Sequence, residues 1–145
     1  MRFLVDTNVL SEARKPRRDT NVSRWFEVAA QSDLFVSVAS ITEIQNGVTL
    51  AQKRQPDFAR VLEQWLAAII ELYGDRLLPV TLPIARRWGV LSASVGNRDL
   101  DLVIAATALE HGLTVATRNT DDFLRAGVSV LNPFEPNPQV IQPRL

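Results

Sequence analysis

Four polar side chains stand where a packed chain should resist them: Asp6, Glu43, Asp101 and Asn119. Asp6 closes the short apolar run Phe3-Leu4-Val5, which reads as a buried strand. Asp101 shares a helical face with Ile104, Ala105 and Ala108, so it points to the apolar side. An unpaired carboxylate there is costly, and a cation or a nearby arginine such as Arg86 would resolve the cost. A first-turn acid favoured by the helix dipole is the simpler account of the same residue. Glu43 follows the second apolar run, yet Ser40-Ile41-Thr42-Glu43 also fits a capping box. Asn119 follows Val115-Ala116 and equally fits an N-cap for the turn at Asp121-Asp122-Phe123. In that turn, Asp121 and Asp122 are first-turn acids that suit the helix dipole.

All four lie at or just after the ends of separate elements, and a parallel sheet opens such ends onto one crevice. Carboxylates that converge without basic partners raise one another's pKa unless a cation holds them. Oxygen-only ligands suit hard ions, Mg²⁺ or Mn²⁺. Mg²⁺ held by a few carboxylates keeps waters and leaves room for phosphate oxygens. That arrangement matches metal-assisted attack of water on a phosphodiester.

Composition removes several rivals. The 145 residues contain no cysteine and a single histidine, His111, which excludes thiol catalysis, Cys-ligated zinc and His-rich metal sites. Sixteen basic and 16 acidic residues give zero net charge, hence no global attraction for nucleic acid. Charge is local instead: Arg14-Lys15-Pro16-Arg17-Arg18 follows Asp6 closely and reads either as a solvated loop or as a phosphate- or carboxylate-pairing cluster. No apolar run approaches the ~20 residues of a membrane span. Met1 leads straight into the first strand, which predicts no signal peptide and a cytoplasmic protein.

The elements that must carry these residues follow from periodicity. Strands are expected at Phe3-Leu4-Val5, Leu34-Phe35-Val36, Leu77 to Thr81, Leu113 to Ala116 and Val128 to Leu131. Helices are expected at Asn8 to Ala13, Asn21 to Ala30, Ser40 to about Gln52, Pro56 to Tyr73 with Gly74 ending it, Pro83 to about Val95, and Asp99 to Glu110. Alternation of short apolar strands with helices predicts an α/β fold, with a parallel sheet of about five strands and helices on both faces. One domain is expected over residues 1–132, followed by a proline-rich tail, 133–145, that is extended or partly disordered. Trp25, Trp65 and Trp88 on amphipathic helices read as core or interface residues.

Taken in order, these stretches resemble a known family. Leu4-Val5-Asp6-Thr7-Asn8-Val9-Leu10-Ser11-Glu12 resembles the opening of PIN domains, especially VapC-type toxins. Ser37-x-x-Ser40-x-x-Glu43 is similar to their second motif, with Ser40 where Thr is usual. Asp101 to Ala108 is similar to the third and Val115 to Phe123 to the fourth, while Leu131-Asn132-Pro133-Phe134 is like the FitB subgroup. The resemblance implies the three-layer α/β/α PIN fold and a Mg²⁺- or Mn²⁺-dependent endoribonuclease. It implies metal ligation by Asp6, Glu43 and Asp101, and it favours a site role for Glu43 over capping alone. Asn119 stands where the family often has Asp, which points to one firmly held ion. On this reading Asn8 orients Asp6, Thr117 and Asn119 position water or phosphate, and Asp122 compensates in part for the missing carboxylate. The products would carry 5′-phosphate and 3′-hydroxyl ends. The implied partners are a small VapB/FitA-like antitoxin, RNA as substrate, operator DNA through the antitoxin alone, and a second copy of the chain. Trp25 and Trp65 would offer apolar surface for such contacts. Two rivals remain: a non-catalytic PIN-type binding module, and an aspartyl-phosphate enzyme with Asp6 as nucleophile. The second usually pairs its nucleophile with another acid two residues on, where this chain has Asn8.

Overall fold

A computed structural model describes residues 1–144. Its strands are β1 (Phe3–Val5), β2 (Leu34–Ser37), β3 (Leu77–Leu78), β4 (Thr114–Ala116) and β5 (Val130–Leu131). They form one sheet in the order β3-β2-β1-β4-β5, and every neighbouring pair is parallel. The helices are α1 (Thr7–Arg14), α2 (Thr20–Val28), α3 (Val38–Arg54), α4 (Pro56–Tyr73), α5 (Leu82–Val95), α6 (Leu100–His111) and α7 (Thr120–Arg125).

The strands alternate between two cores, as side chains two residues apart must. Leu4 and Val115 pack with Leu102, Ile104, Phe123 and Val128 on one face of the sheet. Phe3, Val5 and Ala116 pack with Val9, Val22, Trp25 and Tyr73 on the other. This is the expected three-layer α/β arrangement with five parallel strands. Residues Leu102 to Ala108 of α6 are all buried, so this helix is enclosed on every side rather than amphipathic. Among the described residues, no helix is long and apolar enough to cross a membrane.

Several local expectations change. Strand β3 stops at Leu78 instead of Thr81, because Pro79 has no N–H to continue a ladder. Helix α3 begins at Val38, two residues before the expected start. Its cap is Ser37, whose Oγ accepts a hydrogen bond from the Ala39 N–H at 3.0 Å. The capping box at Ser40-x-x-Glu43 therefore does not form, and both side chains are released for other partners. Trp25 offers no docking surface: it is buried and meets Phe3 and Phe26 edge-on at 5.4 and 5.0 Å. Gly74, at φ 52°, ends α4 as expected.

The proline-rich stretch is extended, and it is anchored. Val130 and Ile141 exchange backbone hydrogen bonds at 3.0 and 2.8 Å in an antiparallel bridge. Phe134 and Val140 pack against the second core, and the Asn21 side chain donates to the Phe134 carbonyl at 2.8 Å. This return covers the outer edge of β5, which would otherwise present unpaired backbone groups. Leu145, the last residue of the expected tail, lies outside the described residues.

Candidate metal centre

Strand β1 leads to β2 on one side of the sheet, and β4 pairs with β1 on the other. Such a switch point opens a crevice at the carboxyl ends of the strands. Asp6 lies there, its N–H bonded to the Ala116 carbonyl of β4 at 2.9 Å. It is also the N-cap of α1, with the Thr7 N–H donating to Oδ1 at 2.8 Å. Its other oxygen accepts from Thr117 Oγ1 at 2.7 Å and from Asn8 Nδ2 at 3.3 Å. Only 4% of Asp6 is exposed.

Glu43 reaches the crevice from the second turn of α3. Thr7 Oγ1 lies 2.7 Å from Glu43 Oε1 and 2.8 Å from the oxygen of the buried Ser40. A hydroxyl carries one proton, so Ser40 donates to Thr7 and Thr7 donates to Glu43. The third carboxylate, Asp101, stands in the first turn of α6 and is half-buried. Asn119 Nδ2, at a long 3.5 Å, is the side chain that reaches it.

One oxygen from each of Asp6, Glu43 and Asp101 lies within 4.8 Å of the others. Among the described residues no Lys or Arg forms an ion pair with any of them; Arg86 points to solvent. Burial, opposed in part by the Thr117 hydrogen bond, and repulsion from Asp101 and Glu43 push the Asp6 carboxyl up to about 6. Burial and the Asp101 charge raise Glu43, against the Thr7 bond. Burial, with Asp122 and Asp99 nearby, raises Asp101 against the Asn119 bond. Three raised, uncompensated carboxylates with oxygens this close match the needs of a hard divalent cation.

The supporting residues divide. Asn8 and Thr117 are brought to Asp6, and Thr117 Oγ1 also accepts from the Asn119 N–H at 2.9 Å. Asn119 occupies the N-cap position of α7, but its side chain makes no capping bond. It bridges instead, donating to Asp122 at 2.8 Å as well as to Asp101. Asp122 is exposed, and Asn119 first, then Arg125, hold its carboxyl below the usual range. Sequence reasoning assigned no site role to Thr7 and read Ser40 as a cap and a motif position, not as a partner of Thr7. Their signals were the position of Thr7 directly after Asp6, and the i, i+3 spacing that puts Ser40 and Glu43 on one helix face. Beside Asp101 a groove of about 590 Å³ opens between α5, α6 and α7, with Asn97, Asp99, Leu102 and Phe123 among its walls.

The model of the PIN domain family matches residues 3–128. The chain is 33% identical to Toxin FitB of Neisseria gonorrhoeae over 139 residues, covering 91% of this chain and 98% of that one. It is 34% identical over 141 residues to VapC ribonuclease Y4jK of Sinorhizobium fredii, covering 92% and 99%. A solved structure of FitAB bound to an IR36 DNA fragment superimposes with a TM-score of 0.79 at 32% identity, covering 92% of this chain and 96% of that one.

Proposed function

The chain belongs to the PIN-domain family, and we propose that it is a VapC-type ribonuclease toxin that cleaves RNA at the Asp6–Glu43–Asp101 crevice. The observation that carries this reading is the convergence of those three carboxylates, unpaired, at the switch point of the sheet. They would hold a divalent cation, Mg²⁺ or Mn²⁺. When bound, such an ion lowers the pKa of a water and polarises a phosphate oxygen.

The chain's own residues keep the ligands in place. Thr117 and Asn8 fix the orientation of Asp6, and the Ser40–Thr7 relay fixes Glu43. Asn119 steadies Asp101 and is itself held by Asp122. Its amide donates to both carboxylates, so it contributes hydrogen bonds where a fourth acid would contribute charge. A single ion is the consequence. Attack of water in line with the 3′-oxygen would leave 5′-phosphate and 3′-hydroxyl ends.

The antitoxin reading is supported by the likeness to FitB and to the FitAB–DNA complex. The partner would be a small antitoxin that blocks the crevice and carries the complex to operator DNA. A homodimer completes the proposal, and a monomer by light scattering at micromolar concentration would remove it.

End-labelled RNA in Mg²⁺ tests the activity. Asp6→Asn and Asp101→Asn should each abolish cleavage while keeping the circular dichroism of the native chain; full activity in both would end the assignment. The neutral Asn119 favours one alternative, a binding module with a silent site. Mn²⁺ titration by calorimetry separates the two, since a silent site would give no heat.

A further inference from the structure

The basic cluster after α1 has no part in the carboxylate site, and the structure divides it. The Arg14 guanidinium lies 5.6 Å from the ring centres of Phe58 and Trp65, and Lys15 pairs with Glu12 at 3.1 Å. Arg17 and Arg18 are exposed, and among the described residues neither has a carboxylate partner. Arg18 is steadied by Ser23 Oγ at 3.0 Å.

A further cation joins them from the other side. Arg118 stands between Thr117 and Asn119, and its N–H donates to Asn8 Oδ1 at 3.3 Å. Its main chain is thus part of the crevice wall. Its guanidinium carbon lies 3.6 Å from the Phe134 ring centre, close enough for cation–π attraction. Phe134 is fixed by Asn21 and Asn132 through its carbonyl and N–H. Glu12 links this pair to the turn between α1 and α2: the Asp19 N–H first, then Lys15 and Arg118, hold its carboxyl below the usual range. Arg118 thus stands at the crevice wall, and Glu12, which accepts from the Asp19 N–H at 2.9 Å, lies between it and the turn that carries Arg17 and Arg18.

We propose that Arg118, positioned by Phe134, together with Arg17 and Arg18 receives the phosphates of the single-stranded RNA that enters the crevice. The proposal rests on the ribonuclease reading above. Three carboxylates repel a polyanion, and the chain's zero net charge gives no general attraction, so the strand needs a local cationic track. Guanidinium forks pair with phosphate oxygens in two-point geometry. Exposed cations beside an aromatic ring are the usual composition of a single-strand groove.

The test is fluorescence anisotropy of a short labelled oligoribonucleotide in EDTA, so that binding is read without cleavage, across a salt series. Arg118→Ala should weaken binding roughly three- to tenfold and lower the salt slope by about 0.7, the value of one single-strand phosphate contact. The double variant Arg17→Ala/Arg18→Ala should lower it by about 1.4. Phe134→Ala should weaken binding in the native chain and add nothing to Arg118→Ala, a coupling that general loosening of the fold would not produce. Unchanged affinity and slope in Arg118→Ala and in the double variant overturns the track, whether or not Phe134→Ala folds. Normal RNA binding with lost binding of an acidic peptide or of the antitoxin assigns the surface to a protein and also overturns it. If the unaltered chain neither binds nor cleaves RNA, the ribonuclease reading fails and the track with it. If it cleaves while the variants bind normally, the track alone fails.

Discussion

The two sides of the crevice are built differently. On one, Asp6 accepts from Thr7, Thr117 and Asn8, and Glu43 is held by a hydroxyl relay. On the other, Asp101 has one long contact to an amide that is already engaged with Asp122. The first side is rigid in advance of any ligand, at the expense of burying an acid against its neighbours' charge. The second keeps freedom to adjust. A cation held at such a site would meet one side already oriented and one carboxylate less restrained, in keeping with preorganisation by outer hydrogen bonds.

The largest expected effect treats the sides as equals. Asp6→Asn and Asp101→Asn should each lower RNA cleavage by more than about a hundredfold, beyond the range seen for supporting residues. Retained activity in Asp101→Asn alone would turn the division into a hierarchy, with Asp101 dispensable.

Thr117→Val separates the sides. Removing the donor to Asp6 should lower Mn²⁺ affinity by about 10- to 100-fold, whereas Asn119→Ala should cost less, because its bond to Asp101 is long. Equal losses in calorimetry would dissolve the comparison.

Protonation gives a third measure, and its sign follows from the raised folded-state pKa values. Asp6 rises from 3.8 to about 6 on folding, so between those values the folded chain binds the extra proton. Its contribution to stability is full below pH 4 and is lost as pH rises through about 6. Glu43 and Asp101 are shifted in the same direction. Without metal, Asp6→Asn should therefore melt higher than the native chain at pH 7, by up to about 3 kcal/mol, and the gap should shrink towards pH 4. Divalent cation should reverse it at pH 7. A gap independent of pH would show that Asp6 is not the group under strain.

The smallest effect lies farthest from the three carboxylates. Ser40→Ala should cost about 1 kcal/mol in thermal melting, the value of one net hydrogen bond. It should lower activity less than Thr7→Val, which removes the donor to Glu43 itself.

The sequence exposed the two sides unevenly. Asp6 was legible because an acid closes a three-residue apolar run, and Asp101 because helical spacing aligns it with Ile104, Ala105 and Ala108. The Thr7–Ser40 contact was not, since it joins residues 33 apart and no local pattern encodes such a meeting. Ser40 even misled, because Ser-x-x-Glu fits a cap while the true cap, Ser37, is set by where β2 ends. Trp25 looked the same on its helix whether it faced Phe3 or solvent. The anchored tail was hidden for a similar reason: prolines announce extension, and only the exposed edge of β5 gives the extended chain something to pair with.

The bond between Asp6 and Thr117 spans 111 residues, and this separation has a consequence for synthesis. A growing chain displays Asp6 at once but lacks Asp101 and Thr117 until most of its length has been made. At about 5–20 residues per second, several seconds pass in which the nascent protein holds Asp6, and then Glu43, but no assembled centre. Chains that stop early, through a broken message or a stalled ribosome, end without the full carboxylate cluster. On the proposed reading, fragments of the chain would be inactive, and only a nearly finished translation would yield a product for an antitoxin to restrain.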